Sequence, residues 1–339
     1  MSGTLQTARA SLVLAVLMAT AQGQSLIQNL GGQRVGTSVF AFLKIDASVY
    51  GSALGGAAVA IPSDASGLYY NPAIITHLSQ SNLVVARIQW PADITYDHFA
   101  LSLPVGRHQY LALSYGILQT EPMLETTEHM PFGTGRTFTF RDQLAALTYA
   151  LRVTDRFSVG TTVKYVTESL ADIGMSALLF DFGTYYLTGF NTLRISSSFS
   201  NFGRQVAPVG TFMKRILDGR TGEEVEAELN YQAFSPPTTF RLGAAYEVID
   251  ADHQQLTMAV QLTHPADNAE YYAVGMNYQL GRSLSLRAGY QANTDEFGLT
   301  LGLSIGASFK GGQRVRFDYA YSQTAFLTPP QRISIGFSL

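Results

Sequence analysis

Apolar residues alternate with polar or small residues along most of the chain beyond residue 80, and this feature most constrains the fold. In the segment 299–305 every second residue is Leu or Ile, and Thr300, Gly302 and Ser304 lie between them. The segment 157–165 repeats with the same period of two. Because successive side chains of a β-strand point to opposite faces, each such segment predicts a strand with one apolar and one polar face.

Fourteen segments follow this pattern, and most have the roughly 9–11 residues that a tilted strand needs to cross a bilayer. The predicted strands are 82–90, 96–105, 109–118, 141–151, 157–167, 177–187, 192–201, 238–249, 254–264, 270–280, 283–290, 297–307, 313–321 and 331–339. Connections that follow odd-numbered strands are the longer member of nearly every neighbouring pair. Long loops at one end and short turns at the other are typical of outer-membrane barrels.

We therefore expect an all-β chain, a transmembrane antiparallel β-barrel of about 14 strands. A soluble β-sandwich or soluble barrel would explain the strands but gives no reason for the sorted loops. Every strand edge must be paired in a bilayer, so the sheet has to close on itself. The apolar face then meets lipid, and the face that carries Asp181, Arg241, Arg287, Arg316 and Asp318 lines the lumen.

The composition agrees with a membrane-embedded sheet and excludes several functions. Only 14% of the residues are charged, against about 25% in a typical soluble domain, and 12% are aromatic. A net charge of −3 gives no basic field, so we expect no nucleic-acid partner. The chain has no Cys, which excludes disulfides and thiolate metal sites.

The first residues resemble an export signal, which we place at 1–23. Arg9 precedes the apolar stretch ASLVLAVLMA at 10–19, which is too short to span a bilayer, and small residues follow it. A buried N-terminal helix is the alternative reading. Export and a barrel together predict the outer membrane of a Gram-negative-type bacterium, with outer-membrane lipid around the protein.

The segment 24–80 does not alternate, and we predict that it forms a compact plug in the lumen of a barrel built by 81–339. Glycine lets backbones approach closely, and the residue before a proline is driven away from helical geometry. The predicted plug motif consists of Gly55, Gly56, Asp64, Ser66, Asn71 and Pro72.

One lumen face is lined by small residues and leaves room for such a plug. Gly298, Gly302 and Gly306 lie on it, and we predict that they face the plug. A helix-packing motif has the same spacing, but the strict alternation and the short apolar run argue against a helix. Glycine kinks that bend the strands are the other reading.

Motifs spread over nearly the whole predicted mature chain resemble the PorV/PorQ family of outer-membrane barrels, relatives of the FadL fatty-acid channels. The N-terminal motifs are Phe42-Leu43-Lys44-Ile45, Gly55-Gly56-Ala57, Asp64-Ala65-Ser66 and Asn71-Pro72-Ala73. The later ones include Phe180-Asp181-Phe182-Gly183, Asn201-Phe202-Gly203, Leu286-Arg287-Ala288-Gly289-Tyr290 and Phe317-Asp318-Tyr319-Ala320-Tyr321. FadL proteins share the Asp-Ala-Ser and Asn-Pro-Ala parts.

The resemblance implies a fourteen-stranded barrel with an N-terminal plug, and a part in type IX protein secretion. Its partners would be secretion-system subunits or the signal domains of secreted cargo, bound through outer loops such as 119–140 and 202–237. The alternative function is a FadL-like channel for hydrophobic small molecules, which should show an apolar pocket near the plug and a lateral gap in the wall. A purely structural barrel is the third possibility.

Nothing in the sequence predicts catalysis. The six histidines are scattered without metal-ligand spacing, no phosphate-binding loop follows Gly55, and no nucleophile–base arrangement is visible. The strand register places His98 on the lumen side, away from an outer-wall active site. We expect no enzyme activity and no cofactor.

Overall fold

The computed structural model describes residues 36–78, 80–171, 173–217, 224–281, 283–309 and 312–339. The predicted signal peptide 1–23 and the first part of the predicted plug lie outside the described residues. Among the described residues, no helix combines the length and the apolar character that would let it cross a membrane.

Eighteen strands account for most of the described chain. They are β1 (Asn82–Trp90), β2 (Ile94–Pro104), β3 (Gln109–Gln119), β4 (Met123–Leu124), β5 (Thr137–Phe138), β6 (Phe140–Arg152), β7 (Phe157–Leu170), β8 (Ile173–Leu187), β9 (Arg194–Phe202), β10 (Thr211–Leu217), β11 (Glu224–Asn230), β12 (Thr239–Ala251), β13 (Gln254–Pro265), β14 (Tyr271–Leu280), β15 (Leu284–Ala292), β16 (Phe297–Ser308), β17 (Arg314–Thr324) and β18 (Gln331–Ser338).

Fourteen of these strands form a closed barrel in which each strand is hydrogen-bonded to both neighbours. The ring closes between β1 and β18, which pair antiparallel from Asn82 opposite Ser338 to Gln89 opposite Gln331. The remaining strands form two separate hairpins, β4–β5 and β10–β11, on the two long connections. Closure leaves the ring without a free edge, which is the condition for a sheet in a bilayer.

The two faces of the ring differ as the alternation predicts. On β16, Leu301 and Ile305 are 48% and 56% exposed on the outside, whereas Thr300 and Ser304 are each 2% exposed on the inside. This confirms the predicted fold class, an antiparallel barrel of 14 strands with an apolar exterior.

The strand bounds differ from the prediction mainly at one hairpin. We expected a nine-residue connection at 168–176, but β7 continues to Leu170 and β8 begins at Ile173, and the two strands pair there, Glu168 with Met175. Polar residues near the strand ends hid this pairing. The predicted sorting of the loops by length therefore depends on two long connections, 120–139 and 203–238, because the connection from β7 to β8 is shorter than its neighbour 188–193.

Residues 36–78 run through the lumen from the end with the long loops to the opposite end, and we call them the plug. At the loop end, Val39 N donates to Ser235 O at 3.2 Å and Phe40 N donates to a Glu168 carboxylate oxygen at 2.9 Å. At the other end, Arg152 on β6 donates to Thr76 O. The plug contains one α-helical turn, Val49–Ser52, and three 3-10 turns, Ala41–Lys44, Ala65–Tyr69 and Pro72–His77.

The apolar exterior makes a direct prediction about Leu301, which lies near the middle of β16. An arginine on the lipid face near the midplane costs roughly 2–4 kcal/mol, so Leu301→Arg should lower the fraction of folded barrel in the membrane. Heat-modifiable mobility on gels of isolated membranes measures that fraction, and Leu301→Ile is the matched control. Equal assembly of the two variants would show that Leu301 does not face lipid.

Candidate functional site: the plug and the lumen wall

The plug touches the wall most closely where the wall carries glycine. A side chain at Gly289 would bring its Cβ within 2.0 Å of Leu54 C, and one at Gly160 would come within 2.5 Å of Pro72 C. On the plug side, Gly55 has φ +65° and lies against the backbone of Tyr290. Backbone meets backbone at these points, so any larger residue would push the plug away from the wall.

The three glycines predicted to face the plug lie in different surroundings. Gly302 is against the plug, since its Cβ would meet Ala53 Cβ at 2.3 Å. The nearest group to Gly298 is the Tyr290 ring at 3.8 Å, and Gly306 N donates to Ser283 O at 2.7 Å. The sequence analysis missed the closest contacts because alternation alone does not show which glycine meets the plug.

The plug motif residues fold the plug and also bind it to the wall. Asp64 caps the turn Ala65–Tyr69 by accepting from Ser66 N at 2.8 Å, and its other oxygen pairs with Arg316. The Ser66 hydroxyl lies 2.8 Å from that of Ser48.

Asn71 likewise caps the next turn, Pro72–His77, and binds it to the wall. Its Oδ1 accepts from Ala73 N at 2.9 Å, while its Nδ2 donates to Thr184 O and to Ser196 Oγ on the wall. Pro72 follows at the first position of the turn, where its missing N–H leaves no hydrogen bond unmade. Gly56 has φ +83°, a backbone conformation that favours glycine.

Three of the predicted lumen charges form one buried cluster with the plug. Arg316 lies between Asp64 of the plug and Asp318 of the wall, with Arg316 Nε 2.8 Å from Asp318 Oδ2. Arg287 Nη2 is 3.2 Å from Asp318 Oδ1, and its guanidinium lies 3.8 Å from the centre of the Tyr50 ring. Two arginines thus face two aspartates, so the charges balance within the low-dielectric interior.

Asp181 belongs to a second cluster around a bulge between β8 and β9. It pairs with Lys164 at 2.6 Å and accepts from Asn201 N at 2.8 Å, where Asn201 has φ +60°. Lys164 also donates to Asn201 Oδ1 at 2.8 Å. The carboxylate therefore satisfies the backbone N–H that the bulge would otherwise leave buried without a partner.

Arg241 stands apart from both clusters. Its guanidinium donates to Ser200 Oγ at 3.0 Å and lies 5.1 Å and 5.7 Å from the ring centres of Tyr69 and Tyr70. Cation–π contact of this kind is stronger where water is excluded.

At the mouth, by the long loops, the plug is held by fewer and more exposed contacts. Lys44 forms an ion pair with Asp267 in the β13–β14 loop, and its side chain is 40% exposed. Ser38 Oγ donates to the same carboxylate at 2.7 Å, and Ser38 forms a parallel bridge with Ser235.

A small cavity of about 30 Å³ lies between the plug and the wall. A volume of this size has room for one or two water molecules and is too small for an organic ligand. Its lining mixes apolar groups such as Leu43 and Tyr96 with the polar side chains of His98 and Lys164. His98 is buried, on the lumen side as the register predicts.

The lumen is therefore closed in this structure. Neighbouring ring strands are hydrogen-bonded all the way round, with register shifts at β8–β9, β12–β13 and β16–β17. The large apolar pocket of the described residues, about 830 Å³, is a groove on the outer face of β13–β17 lined by Leu286, Leu301 and Leu303, and not a pocket beside the plug. The described ring strands show no lateral gap. The same residues contain no group of three or more His, Asp or Glu side chains placed to hold a metal ion.

Near the other end of the plug, His77 packs its ring on Tyr185 with ring centres 4.1 Å apart. Burial, and to a smaller extent the positive charges of Arg152 and Arg194, lower the pKa of His77 from its ordinary 6.5 to about 4. The neutral ring is thus the form that fits this site.

The chain matches no protein-family model and no curated protein sequence. It is similar in fold to the toluene transporter TodX of P. putida, with a TM-score of 0.57, 10% identity, and coverage of 85% of this chain and 97% of that one. For the toluene transporter TbuX of Ralstonia pickettii the TM-score is 0.52 and the identity 12%, covering 85% and 96%. For a FadL homologue of Pseudomonas aeruginosa the TM-score is 0.50 and the identity 11%, and the match covers 86% of this chain and 97% of that one.

These structures correct the family assignment. The assignment to PorV/PorQ is wrong, and so is the role in type IX secretion that it implied, because the similar structures are toluene transporters and a FadL homologue. The FadL-like part of the resemblance is supported at the level of fold. The motifs misled us for a physical reason: Asp64, Asn71 and Gly183 cap turns or touch the plug, so they describe plug geometry rather than binding partners.

Two of the three similar structures are described as transporters. That this chain is not an enzyme stays a prediction from its sequence.

The buried cluster predicts that Arg316 anchors the plug. Arg316→Met leaves Asp64 and Asp318 buried with less positive charge, and breaking such a pair costs about 3–5 kcal/mol. Urea unfolding in detergent should show a loss of this order. The control is Arg136→Met, which removes an exposed ion pair with Glu125 and should change stability little. Equal losses would mean that Arg316 does not anchor the plug.

His77 predicts a loss of plug stability in acid. A base whose pKa is lower in the folded state destabilises the fold as it becomes protonated, so its effect is absent above pH 6.5 and grows as the pH falls towards 4. His77→Phe keeps the ring contact with Tyr185 and removes the titration. Protease digestion of the plug, measured from pH 7 to pH 4, should accelerate less in His77→Phe than in the wild type. Identical pH profiles would contradict the assignment.

Proposed function

We propose that the protein is an outer-membrane channel for hydrophobic small molecules. The observation that carries this proposal is a plug spanning the lumen of a closed fourteen-stranded ring, the arrangement of a chain similar in fold to toluene transporters. The plug is held by hydrogen bonds, ion pairs and packing, all of which can break reversibly.

The location in the outer membrane is part of the proposal. It is supported by the apolar exterior of the ring and by the predicted signal peptide at 1–23. Outer-membrane lipid then surrounds the barrel, and the long loops 120–139 and 203–238 face outwards. In this arrangement 24–80 is the gate and 81–339 is the wall.

Passage requires the plug to move, because the cavity of about 30 Å³ admits only water. The outer end is the part that opens with the least free energy. In the ion pair of Lys44 with Asp267 the Lys44 side chain is 40% exposed and that of Asp267 is 9% exposed, so water weakens this pair more than a fully buried one. The pair of Arg316 with Asp64 is buried and costs several kcal/mol to break.

An opened outer end would uncover a surface suited to apolar molecules. Leu43 and Ile45 of the plug, and Tyr96 of β2, lie just inside the mouth and belong to one buried apolar cluster. Movement of the turn Ala41–Lys44 would expose these side chains to a molecule arriving from outside. Burying an apolar molecule there is favoured by about 25 cal/mol per Å² of surface removed from water.

Uptake of radiolabelled toluene tests the proposal in a bacterial host that lacks hydrocarbon channels of its own. Cells producing the protein should accumulate toluene several-fold faster than cells carrying the empty vector. Equal rates, with the barrel present and folded in the outer membrane, would refute the channel and favour a purely structural barrel.

A reversible lock tests whether the route passes the plug. The chain has no Cys. Ser38→Cys combined with Asp267→Cys therefore introduces two thiols, and no others, where the Ser38 and Asp267 side chains now meet at 2.7 Å. Oxidation should slow uptake several-fold, and a reductant should restore it in the same cells. An uptake rate that is the same in the oxidised and the reduced state would show that the outer end of the plug does not gate passage.

A further inference from the structure

One ion pair stands on the outside of the ring rather than in the lumen. Arg87 on β1 and Asp97 on β2 are directly opposite each other, with two contacts of 2.6 Å and 2.7 Å between guanidinium and carboxylate. Their side chains are 61% and 35% exposed. The next residues in the same row of the ladder are Ile333 on β18 and Ile117 on β3, so the pair interrupts an apolar surface.

The pair lies at the edge of the apolar band that is nearer the long loops, because the next outward row of the ladder holds Gln331, Gln89, Thr95 and Gln119. On β14 every outward residue from Tyr272 to Leu280 is Tyr, Val, Met or Leu, whereas β1 offers only Leu83 and Val85 before Arg87. Outer-membrane barrels present a band about 25 Å tall to lipid. The outward residues Phe99, Leu101 and Leu103 of β2 continue this band beside Leu83 and Val85, so the ion pair is the charged part of an otherwise apolar β1–β2 face.

The two charges are arranged so that this surface is complementary to the same surface of a second copy. Arg87 and Asp97 lie side by side in one row of the ladder. Two barrels with the same orientation in a membrane can be related by a two-fold axis along the membrane normal. That rotation exchanges left and right, so Arg87 of each copy comes to face Asp97 of the other, and four alternating charges close into one network.

We propose that the protein forms a symmetric dimer through the β1–β2 face, with a second copy of this chain covering the exposed ion pair. The interface consists of the outward side chains of β1 and β2, centred on Arg87 and Asp97. This proposal rests on the membrane location but not on transport, so a failed uptake experiment leaves it untouched.

The surroundings of the pair suit contact with another barrel. The connection between β1 and β2 is only 91–93, so this hairpin places no long loop of its own in front of the face. The neighbouring loop between β17 and β18 carries Phe326, which is 87% exposed, and Glu296 accepts from the N–H groups of Phe326 and Leu327. An exposed apolar side chain on a fixed backbone adds contact area above the pair.

Cross-linking in native membranes tests the proposed face. Val85→Cys lies on β1 next to Arg87, and the control Leu242→Cys lies on β12, diametrically opposite in the ring. Both positions face outwards and the chain has no other Cys. A short bis-maleimide should give at least five-fold more covalent dimer from Val85→Cys than from Leu242→Cys. Equal yields, or products with a different protein, would overturn the proposal.

Charge exchange tests the pairing itself, with two affinity tags on co-produced chains. Arg87→Asp presents two carboxylates and Asp97→Arg presents two guanidinium groups, so each variant should pull down its own kind about ten-fold less than the wild type does. Mixed together, the two variants should associate as well as the wild type. The double variant Arg87→Asp/Asp97→Arg keeps the pair within one chain and should self-associate, which controls for folding.

Two results of this experiment contradict the dimer. One is self-association of the single variants at the wild-type level, and the other is a mixture of folded single variants that associates no better than either alone. A lipid headgroup or an unrelated partner on this face would not restore binding between the two single variants.

Discussion

Backbone hydrogen bonding without access to water is the constraint on which the rest of the structure depends. Each strand that crosses lipid must pair on both sides, because an unsatisfied N–H or C=O costs several kcal/mol there. The pairing of β1 with β18 meets this condition for the first and last strands of the ring. Closure also encloses a lumen, and the alternation of side chains makes the lumen-facing side of the strands polar.

The plug fills the polar lumen of the fourteen-stranded ring, and its sequence has to match the wall where the two are in contact. Its backbone comes closest to the wall where Gly160, Gly275 and Gly289 have no side chain. Its one ion pair with Arg316 belongs to a cluster whose charges balance, which is what burial demands. The firm contacts lie deep in the lumen and the weaker ones at the mouth, so the plug is built to loosen first at its outer end.

The sequence predicted the ring far better than the lumen. Alternation is a local signal, and it placed all fourteen ring strands, from 82–90 to 331–339. It did not predict the continuation of β7 and β8, because Glu168 and Ser169 look like loop residues until their partners are known. The plug contacts depend on which wall residue meets which plug residue, as with Gly289 and Leu54, and no local pattern encodes that. The motifs of the plug likewise resembled those of the PorV/PorQ family, but they reflect how the plug folds. The similar structures do not support that family's role in secretion for this chain.

Spin labels placed one at a time along β16, from Leu299 to Ile305, measure the central claim most directly. The account predicts that contact with membrane-dissolved oxygen is high at Leu299, Leu301, Leu303 and Ile305 and low at the residues between them. A profile without this period of two, or one with the opposite phase, would contradict the closed ring with an apolar exterior and a plug-filled interior.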